Sequence, residues 1–170
     1  HCAAYTNVDE AEGDPETCRK VNVEGTKYLV QAAKQVNAKI IYISTDYVFD
    51  GENPDPYQVN EPANPQSIYG RTKYEGEKLV REYPKHFIVR IAWVFGINGR
   101  NFVKTMLRVA EEHTEVSVVD DQIGSPTYTV DLAKFLIDLS GSDKYGTYHA
   151  TNEGFCSWAE FTEEIYQDAG

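Results

Sequence analysis

One stretch of the sequence is especially informative about the fold: Lys39-Ile40-Ile41-Tyr42-Ile43-Ser44-Thr45. The run is short and almost continuously apolar, which is typical of a strand buried on both faces of a parallel sheet. Thr45 then lies at the carboxyl end of that strand, the edge at which open α/β sheets bind their ligands. The run therefore predicts a central strand with a hydroxyl side chain at the binding edge.

Helices are predicted before and after this strand. Asp14-Pro15 has the form of an N-cap followed by proline at the first helical position, and apolar residues then recur every three or four positions. This pattern indicates a helix of about 20 residues that ends near Asn37. Residues 46–65 contain four of the seven prolines, so they form a long loop, and such loops are usually functional. A second helix begins near Ser67.

The rest of the chain continues the alternation of strands and helices. In order, the patterns predict a strand over 87–95 closed by Gly96, a helix over 101–112, a short strand over 116–119, a turn at 124–126, a helix over 130–139 and a strand over 146–150. Alternating strands and helices are typical of a doubly wound, parallel, Rossmann-like sheet. We therefore predict an α/β fold of that class.

Composition and charge exclude several functional classes. With 16 basic and 27 acidic side chains the formal net charge is −11, so no basic stripe is available for nucleic acid. No apolar run approaches the roughly 20 residues that a bilayer span needs, and no signal peptide opens the chain. We therefore expect a cytoplasmic protein with no membrane partner. Cys2, Cys18 and Cys156 are too few and too scattered for a disulfide framework or a zinc site, and we expect no metal.

Both ends of the sequence have the character of interior segments. His1 to Thr6 has the pattern of a buried strand that runs into a loop. Ser157 and Glu160 form a capping box that opens a helix, and the sequence stops soon afterwards at Gly170. We therefore expect the chain to be an interior piece of a longer polypeptide.

Tyr69 and Lys73 are the clearest candidates for chemistry. They stand four residues apart in the predicted second helix, so both side chains leave the same face. A free tyrosine has a pKa of about 10, and a nearby ammonium lowers that pKa toward the range useful for proton transfer. With the Thr45 hydroxyl bonding the same substrate oxygen, the pair suits carbonyl reduction. The same spacing also arises by chance on helix faces.

Four longer strings carry a family resemblance. They cover residues 43–51, 65–73, 101–106 and 119–127, and they include Ser44-Thr45-Asp46-Tyr47-Val48-Phe49-Asp50-Gly51 and Asp121-Gln122-Ile123-Gly124-Ser125-Pro126-Thr127. From residue 1 to residue 170 the sequence closely resembles the dTDP-4-dehydrorhamnose reductases, which are extended short-chain dehydrogenases/reductases. The Tyr-x-x-x-Lys spacing is shared across that superfamily, whereas the two quoted strings are much narrower.

The resemblance implies roles for residues at matching positions. Tyr69 would donate the proton, Lys73 would hold the nicotinamide ribose and tune Tyr69, and Thr45 would bond the sugar carbonyl oxygen. Cofactor contacts are implied for Ala4, Tyr5, Thr6, Tyr69 and Lys73. Substrate contacts are implied for Thr45, Asp46, Tyr47, Trp93, Asn101 and Gln122. Trp93 equally suits a core position, and Tyr47 equally suits packing of the loop.

The activity implied by the resemblance is hydride transfer from NADPH or NADH to the 4-keto group of dTDP-4-dehydro-L-rhamnose, which gives dTDP-L-rhamnose. The partner is then a small nucleotide sugar, and a homodimer is one arrangement that stays open. Residues 1–96 and 124–150 would be the C-terminal part of a dinucleotide-binding domain. Residues 97–123 and 151–170 would be parts of a smaller substrate-binding domain.

One departure and two alternatives accompany the resemblance. The family's glycine-rich Gly-x-x-Gly-x-x-Gly turn occurs nowhere in the 170 residues, so we expect these residues to be inactive on their own. The regulatory beta subunit of methionine adenosyltransferase, a non-catalytic relative that binds a partner enzyme, shares His1-Cys2-Ala3-Ala4, but the string over 120–127 favours the reductase. An epimerase or dehydratase would need a further acid/base pair, which the sequence does not offer.

Overall fold

The computed structural model describes residues 1–170, in which helices alternate with short strands. The helices are α1 (Val8–Gly13), α2 (Pro15–Arg19), α3 (Gly25–Gln35), α4 (Ile68–Arg81), α5 (Phe102–Glu112), α6 (Thr129–Gly141) and α7 (Trp158–Ala169). The strands are β1 (Ile40–Thr45), β2 (His86–Ile91), β3 (Val94–Phe95), β4 (Ile123–Gly124), β5 (Thr127–Tyr128), β6 (Gly146–His149) and β7 (Cys156–Ser157). A π-helical segment, Lys20–Glu24, joins α2 to α3, and a 3-10 turn, Asp46–Val48, follows β1. None of the helices has the length and apolar character needed to cross a membrane.

The first of two compact units contains the main sheet. This unit comprises His1–Ile91 and Leu136–His149. Its three strands are all parallel and lie in the order β1-β2-β6, with Thr45 opposite Ile91 at the carboxyl ends of β1 and β2. The parallel α/β sheet predicted from the sequence is therefore confirmed.

The core of the first unit lies between β1 and the helices α3 and α4. Its central cluster consists of Val30, Ala33, Ile40, Tyr42, Val80, Tyr83 and Ile88. Tyr42 is fully buried, and its hydroxyl donates to the Lys73 carbonyl over 3.1 Å, so the one polar atom of this ring is paired. Gly76 makes that packing possible, because a Cβ atom there would lie only 2.9 Å from the Tyr42 ring carbon that bears the hydroxyl.

The second unit comprises Ala92–Phe135 and Ala150–Gly170 and is built around aromatic rings. Two small sheets belong to it: β3 and β5 pair in parallel, and β4 and β7 pair antiparallel. Ring contacts join Trp93, Phe95, Phe102, Trp158 and Phe161. Trp93 and Trp158 stack with their centroids 3.6 Å apart, and this pair is the centre of the cluster.

Helix starts agree closely with the sequence patterns. Asp14, Ser67 and Asn101 each accept a hydrogen bond from the backbone N–H three residues later, as N-caps do. Ser157 and Glu160 form the expected capping box at the start of α7. The predicted helices after Asp14, Ser67 and Asn101, the helix over 130–139 and the strand over 146–150 are confirmed within a few residues.

Two sequence predictions about elements were wrong, and one short helix was not predicted. The apolar run over 87–95 is two strands instead of one, because Trp93 adopts a left-handed backbone conformation with φ of 47°. Residues 116–119 do not form a strand, although the Val119 carbonyl accepts a hydrogen bond from Ala159 N at 3.1 Å. The short helix α1 was missed altogether.

The first residues run beside β1 without forming a regular strand. The His1 amino group donates to the Ile41 carbonyl over 2.8 Å, and Ile43 N donates back to the His1 carbonyl over 3.4 Å. The strand expected over His1 to Thr6 is therefore replaced by two backbone hydrogen bonds between His1 and β1, and the chain then continues as a loop over 2–7. The assignment of residues 1–96 and 124–150 to a dinucleotide-binding domain stays a prediction.

Candidate active site

Polar side chains meet where β1 ends and α4 begins, in the first unit. The Thr45 hydroxyl donates to the Asp46 carboxylate over 2.8 Å and accepts from Tyr47 N at 3.2 Å. The Tyr69 ring lies edge-on to the Tyr47 ring, with 5.5 Å between centroids. Tyr69 is close enough to Thr45, Asp46 and Tyr47 for each of them to influence its ionisation. The structure therefore brings four of the predicted site residues together.

The start of α4 is held close to the end of β1 by two features of its sequence. Ser67 caps the helix by accepting from Gly70 N at 3.0 Å. A Cβ atom on Gly70 would overlap the Tyr47 carbonyl oxygen and lie 3.1 Å from the Pro65 Cβ. Only glycine lets the helix approach the 3-10 turn this closely, and this approach sets the position of Tyr69.

The Tyr69 phenol is neutral at physiological pH. Burial raises its pKa to about 12, with a smaller contribution from the Asp46 charge, while hydrogen bonding with Thr45 acts in the opposite direction. The sequence argument that a neighbouring ammonium lowers the pKa of this tyrosine was wrong, because burial and the nearby Asp46 carboxylate both raise it and the Lys73 ammonium is not among the groups that shift it. A neutral phenol is a hydrogen-bond and proton donor, so Tyr69 is suited to the acid half of a proton transfer.

Lys73 is almost completely buried. Its ammonium donates to the Ile43 carbonyl over 2.6 Å and lies 4.2 Å from the centroid of the Tyr42 ring. Burial lowers the pKa of Lys73 to about 8, and the carboxylate of Glu77 partly offsets that effect. An ammonium has three donors, and Ile43 is the one oxygen acceptor that the described residues provide. The remaining donors fit the hydroxyl groups of a ribose, so Lys73 could hold a nicotinamide cofactor.

Asp46 competes for the proton of Thr45. Since the Thr45 hydroxyl has one proton and donates it to Asp46, bonding a substrate oxygen requires that this hydrogen bond be exchanged. Burial also raises the pKa of Asp46, while the hydrogen bond from Thr45 acts in the opposite direction. The pair Thr45–Asp46 can therefore present either an acceptor or a donor at the end of β1.

Asn22 fixes the loop that carries the predicted cofactor contacts, and sequence analysis did not assign it to the site. Its side chain accepts from Tyr5 N at 2.8 Å and donates to the Tyr5 carbonyl over 3.2 Å. It also donates to the Thr72 hydroxyl over 3.0 Å, and Thr72 in turn donates to the Tyr69 carbonyl. The signal for this role in the sequence was the polar amide of Asn22 inside the predicted amphipathic helix. Through Asn22, the backbone between Ala4 and Thr6 is connected to α4.

Three predicted substrate contacts lie in the second unit. Trp93 stacks on Trp158 and is half-buried. The Asn101 side chain accepts from Lys104 N and donates to the Gly96 carbonyl, so it already serves as the cap of α5. Gln122 is exposed. Their roles toward a substrate stay predictions.

Comparison with known protein families matches the whole chain to one of them. The model of the family described as RmlD substrate binding domain matches residues 1–170. The chain belongs to the RmlD substrate binding domain family. The resemblance recognised in the sequence strings is thus confirmed along the entire length of the chain.

Several relatives of this RmlD substrate binding domain are longer proteins. A crystal structure of dTDP-4-dehydrorhamnose reductase from Bacillus anthracis, in complex with NADP, superposes with a TM-score of 0.97 at 48% identity, covering 99% of this chain and 60% of that one. The dTDP-4-dehydrorhamnose reductase of Aggregatibacter actinomycetemcomitans is 44% identical over 99% of this chain and 60% of its own length. The spore coat polysaccharide biosynthesis protein SpsK of Bacillus subtilis is 44% identical over 99% of this chain and 59% of its own. The chain therefore spans about 60% of the length of these relatives.

These similarities bear on the alternatives left open by the sequence. The relatives of this RmlD substrate binding domain include many proteins named dTDP-4-dehydrorhamnose reductase. They support the reductase over the regulatory subunit of methionine adenosyltransferase.

Proposed function

We propose that this chain is the part of an NADPH- or NADH-dependent dTDP-4-dehydrorhamnose reductase that carries the proton donor and binds the sugar nucleotide. The substrate would be dTDP-4-dehydro-L-rhamnose and the product dTDP-L-rhamnose. The observation that carries the proposal is the meeting of Thr45 and neutral Tyr69 at the end of β1, with the Lys73 ammonium one helical turn along α4. Relatives named as this reductase, one of them in complex with NADP, support it.

In the proposed reaction, a bound nicotinamide cofactor supplies the hydride that reaches C4 of the sugar. Tyr69 donates its phenolic proton to the former carbonyl oxygen, so that hydride and proton together give the alcohol. Thr45 bonds the same oxygen once its hydroxyl has turned from Asp46. Lys73 binds the ribose hydroxyls of the cofactor with the ammonium donors that the Ile43 carbonyl leaves free.

The proposal also includes the remaining cofactor and substrate contacts and the cellular compartment. Ala4, Tyr5 and Thr6 would face the cofactor, and their backbone is fixed through Asn22. Substrate contacts would come from Asp46, Tyr47, Trp93, Asn101 and Gln122. The three cysteines are free, which suits a reducing compartment such as the cytoplasm. A homodimer would be compatible with this proposal.

The test is a pair of tyrosine variants in the protein that contains these 170 residues. Tyr69→Phe removes one hydroxyl at the site, whereas Tyr28→Phe removes one from the surface of α3, where the ring is 63% exposed. Turnover of dTDP-4-dehydro-L-rhamnose with NADPH should fall by about 10²–10⁴-fold in Tyr69→Phe, the usual contribution of general acid catalysis, and stay unchanged in Tyr28→Phe. A turnover in Tyr69→Phe within about threefold of wild type would refute the assignment, because that lies far below the usual contribution.

A further inference from the structure

A carboxylate that the proposed chemistry does not use is completely buried below the site. Glu77 lies one helical turn after Lys73 on α4, and its side chain is 0% exposed. Arg90 of β2 grips it at both oxygens, from Nε and Nη2, each over 2.8 Å. Arg81 donates to the same carboxylate over 2.7 Å. Bidentate pairs of this kind are among the strongest and most directional hydrogen bonds in proteins.

The fourth contact of Glu77 connects it to the strand that ends at the site. The Ser44 hydroxyl donates to Glu77 over 2.6 Å, and Ser44 directly precedes Thr45. Three successive residues of β1 therefore bond to α4: the Tyr42 hydroxyl to the Lys73 carbonyl, the Ile43 carbonyl to the Lys73 ammonium, and Ser44 to Glu77. A sliding of β1 along α4 would break all three hydrogen bonds at once.

The charges around Lys73 depend on this carboxylate. The ionisable groups that influence Lys73 are Glu77 on its own helix, Cys2 on the first segment and Cys18 on α2. The ionisable groups near Glu77 are Arg81, Arg90 and Tyr42, and His149 lies 3.5 Å from Arg90. Without the carboxylate, three cationic side chains would share one poorly solvated region, and the lysine is the one that can release its proton most easily.

We propose, resting on the proposed function, that Glu77 is a positioning residue of the active site. Through Ser44 it sets where the Thr45 hydroxyl lies relative to Tyr69, and from one helical turn away on the same helix its carboxylate balances the charge of the buried Lys73 ammonium. The Glu77 side chain is completely buried and its hydrogen-bond partners are Ser44, Arg81 and Arg90, so it offers no atom to a ligand at the surface. Its effect on turnover therefore passes entirely through Thr45 and Lys73.

Two variants separate the two effects. Glu77→Gln keeps the shape of the side chain and removes its negative charge. Ser44→Ala removes the hydrogen bond between β1 and Glu77 and leaves the ion pair of Glu77 with Arg90 in place. Val80→Ala is the control, because Val80 is fully buried on the same helix and truncating it destabilises the fold by a cavity without any polar contact to the site. All three are made in the protein that contains these 170 residues, and melting temperatures show which of them are folded.

The first readout is the titration of Lys73 itself by NMR, with its signal assigned by its loss in Lys73→Arg. In Glu77→Gln we expect the pKa of Lys73 to fall by about one unit below the wild-type value, as removal of a close opposite charge requires. The alkaline limb of kcat/KM should move by the same amount. In Ser44→Ala and Val80→Ala the titration should stay at the wild-type position.

The second readout is the split between kcat and KM. Ser44→Ala should lower kcat by about fivefold to tenfold with little change in the KM of NADPH, because one misplaced hydroxyl weakens a contact made during the reaction. Val80→Ala should leave both constants near wild type. If Glu77→Gln fails to fold because Arg90 is left unpaired, Ser44→Ala still decides the positioning effect.

The outcomes distinguish this inference from the function on which it rests. Wild-type titration and kinetics in folded Glu77→Gln, or wild-type kcat in Ser44→Ala, would overturn the positioning role while leaving the reductase assignment intact. Full turnover in Tyr69→Phe would instead overturn the reductase assignment, whatever Glu77 does.

Discussion

Lys73 carries a positive charge inside the protein, and its protonation should be visible in the stability of the fold. Its pKa falls from 10.5 in the unfolded chain to about 8 in the native state. Between these values the unfolded state binds more protons, so the free energy of unfolding rises with pH. At about 1.4 kcal/mol per pKa unit, we expect Lys73 to contribute a gain of roughly 2 kcal/mol between pH 8 and pH 10.

The variant Lys73→Met isolates this contribution. It keeps most of the volume of the side chain and removes the titration, so urea unfolding measured at several values between pH 8 and pH 10 should give a flatter profile than wild type. Above pH 10 the tyrosines act in the opposite direction, because burial raises the pKa of Tyr69 to about 12 and favours its neutral form. Equal slopes for the variant and wild type would contradict a buried, titrating Lys73.

We expect replacement of Trp93 to affect the stability of the fold more than the binding of substrate. Its ring stacks on Trp158 at 3.6 Å, and a Cβ atom on Gly124 would lie 2.6 Å from the ring, so the site is closely packed on one face and one edge. Trp93→Ala should lower the free energy of unfolding by about 2–4 kcal/mol, near the lower end for an aromatic truncation because the ring is half-buried. Phe155→Ala is the control, since that ring is 66% exposed in the same unit, and circular dichroism is the measurement. A change in KM with no loss of stability in Trp93→Ala would show a binding role alone.

Residue identities in the site were easier to predict than their electrostatics. Tyr69, Lys73 and Thr45 follow from helical spacing and from a strand end, which are local patterns. The direction of the Tyr69 pKa shift depends on how deeply the ring is buried, and no local pattern contains that information. The bonds of Asn22 to Tyr5, 17 positions away, and of Glu77 to Ser44, 33 positions away, likewise exist only after the fold has formed.

At the scale of elements, the approach of α4 to the 3-10 turn after β1 depends on Gly70. Alanine is the better helix former by about 0.5–1 kcal/mol, yet its Cβ would overlap the Tyr47 carbonyl oxygen. We expect Gly70→Ala to destabilise the protein by about 1–3 kcal/mol and to lower turnover, because the helix must shift and Tyr69 shifts with it. Differential scanning calorimetry and steady-state kinetics measure the two effects.

Gly25 provides the matched control on α3. Its backbone has φ of −56°, and an added Cβ would find its nearest atom, the Lys20 carbonyl oxygen, at 3.7 Å. Gly25→Ala should therefore stabilise the protein by about 0.4–1 kcal/mol, chiefly by restricting the unfolded chain. A stabilising effect at Gly70 as well would show that the close approach of α4 is not required.

Elements that begin with a capping residue could be predicted from the sequence more easily than elements that end at an unusual backbone conformation. The starts of α4, α5 and α7 were predicted because Ser67, Asn101 and Ser157 are capping residues that act on the next three positions. The break between β2 and β3 was not, because the apolar run continues through Trp93 and gives no sign of its left-handed backbone conformation. Helix α1 is only six residues long, too short to show a period.

At the scale of the whole molecule, the fold class could be predicted because it depends on the order of elements and not on their details. Buried runs that alternate with amphipathic helices specify a parallel sheet, even when one strand is split and another is absent. The boundaries of the two compact units, within α6 and after β2, come from long-range contacts that no local pattern contains, and the assignment of the units to a dinucleotide-binding and a substrate-binding domain stays a prediction.

The net charge of −11 should make the stability of the molecule depend on salt with a definite sign. The 27 acidic side chains outnumber the 16 basic ones, so net repulsion between negative charges destabilises the compact state. Raising NaCl from about 0.01 to 0.15 M shortens the Debye length from about 30 to 8 Å and so weakens this repulsion. Salt also weakens exposed ion pairs such as Lys20–Glu16, but these contribute little, and the buried Glu77–Arg90 pair is screened least. We therefore expect the melting temperature at pH 7 to rise by a few degrees with added NaCl. Near pH 5, close to the isoelectric point of about 4.8, the rise should vanish, and a fall with salt at pH 7 would mean that attractive pairs outweigh the net repulsion.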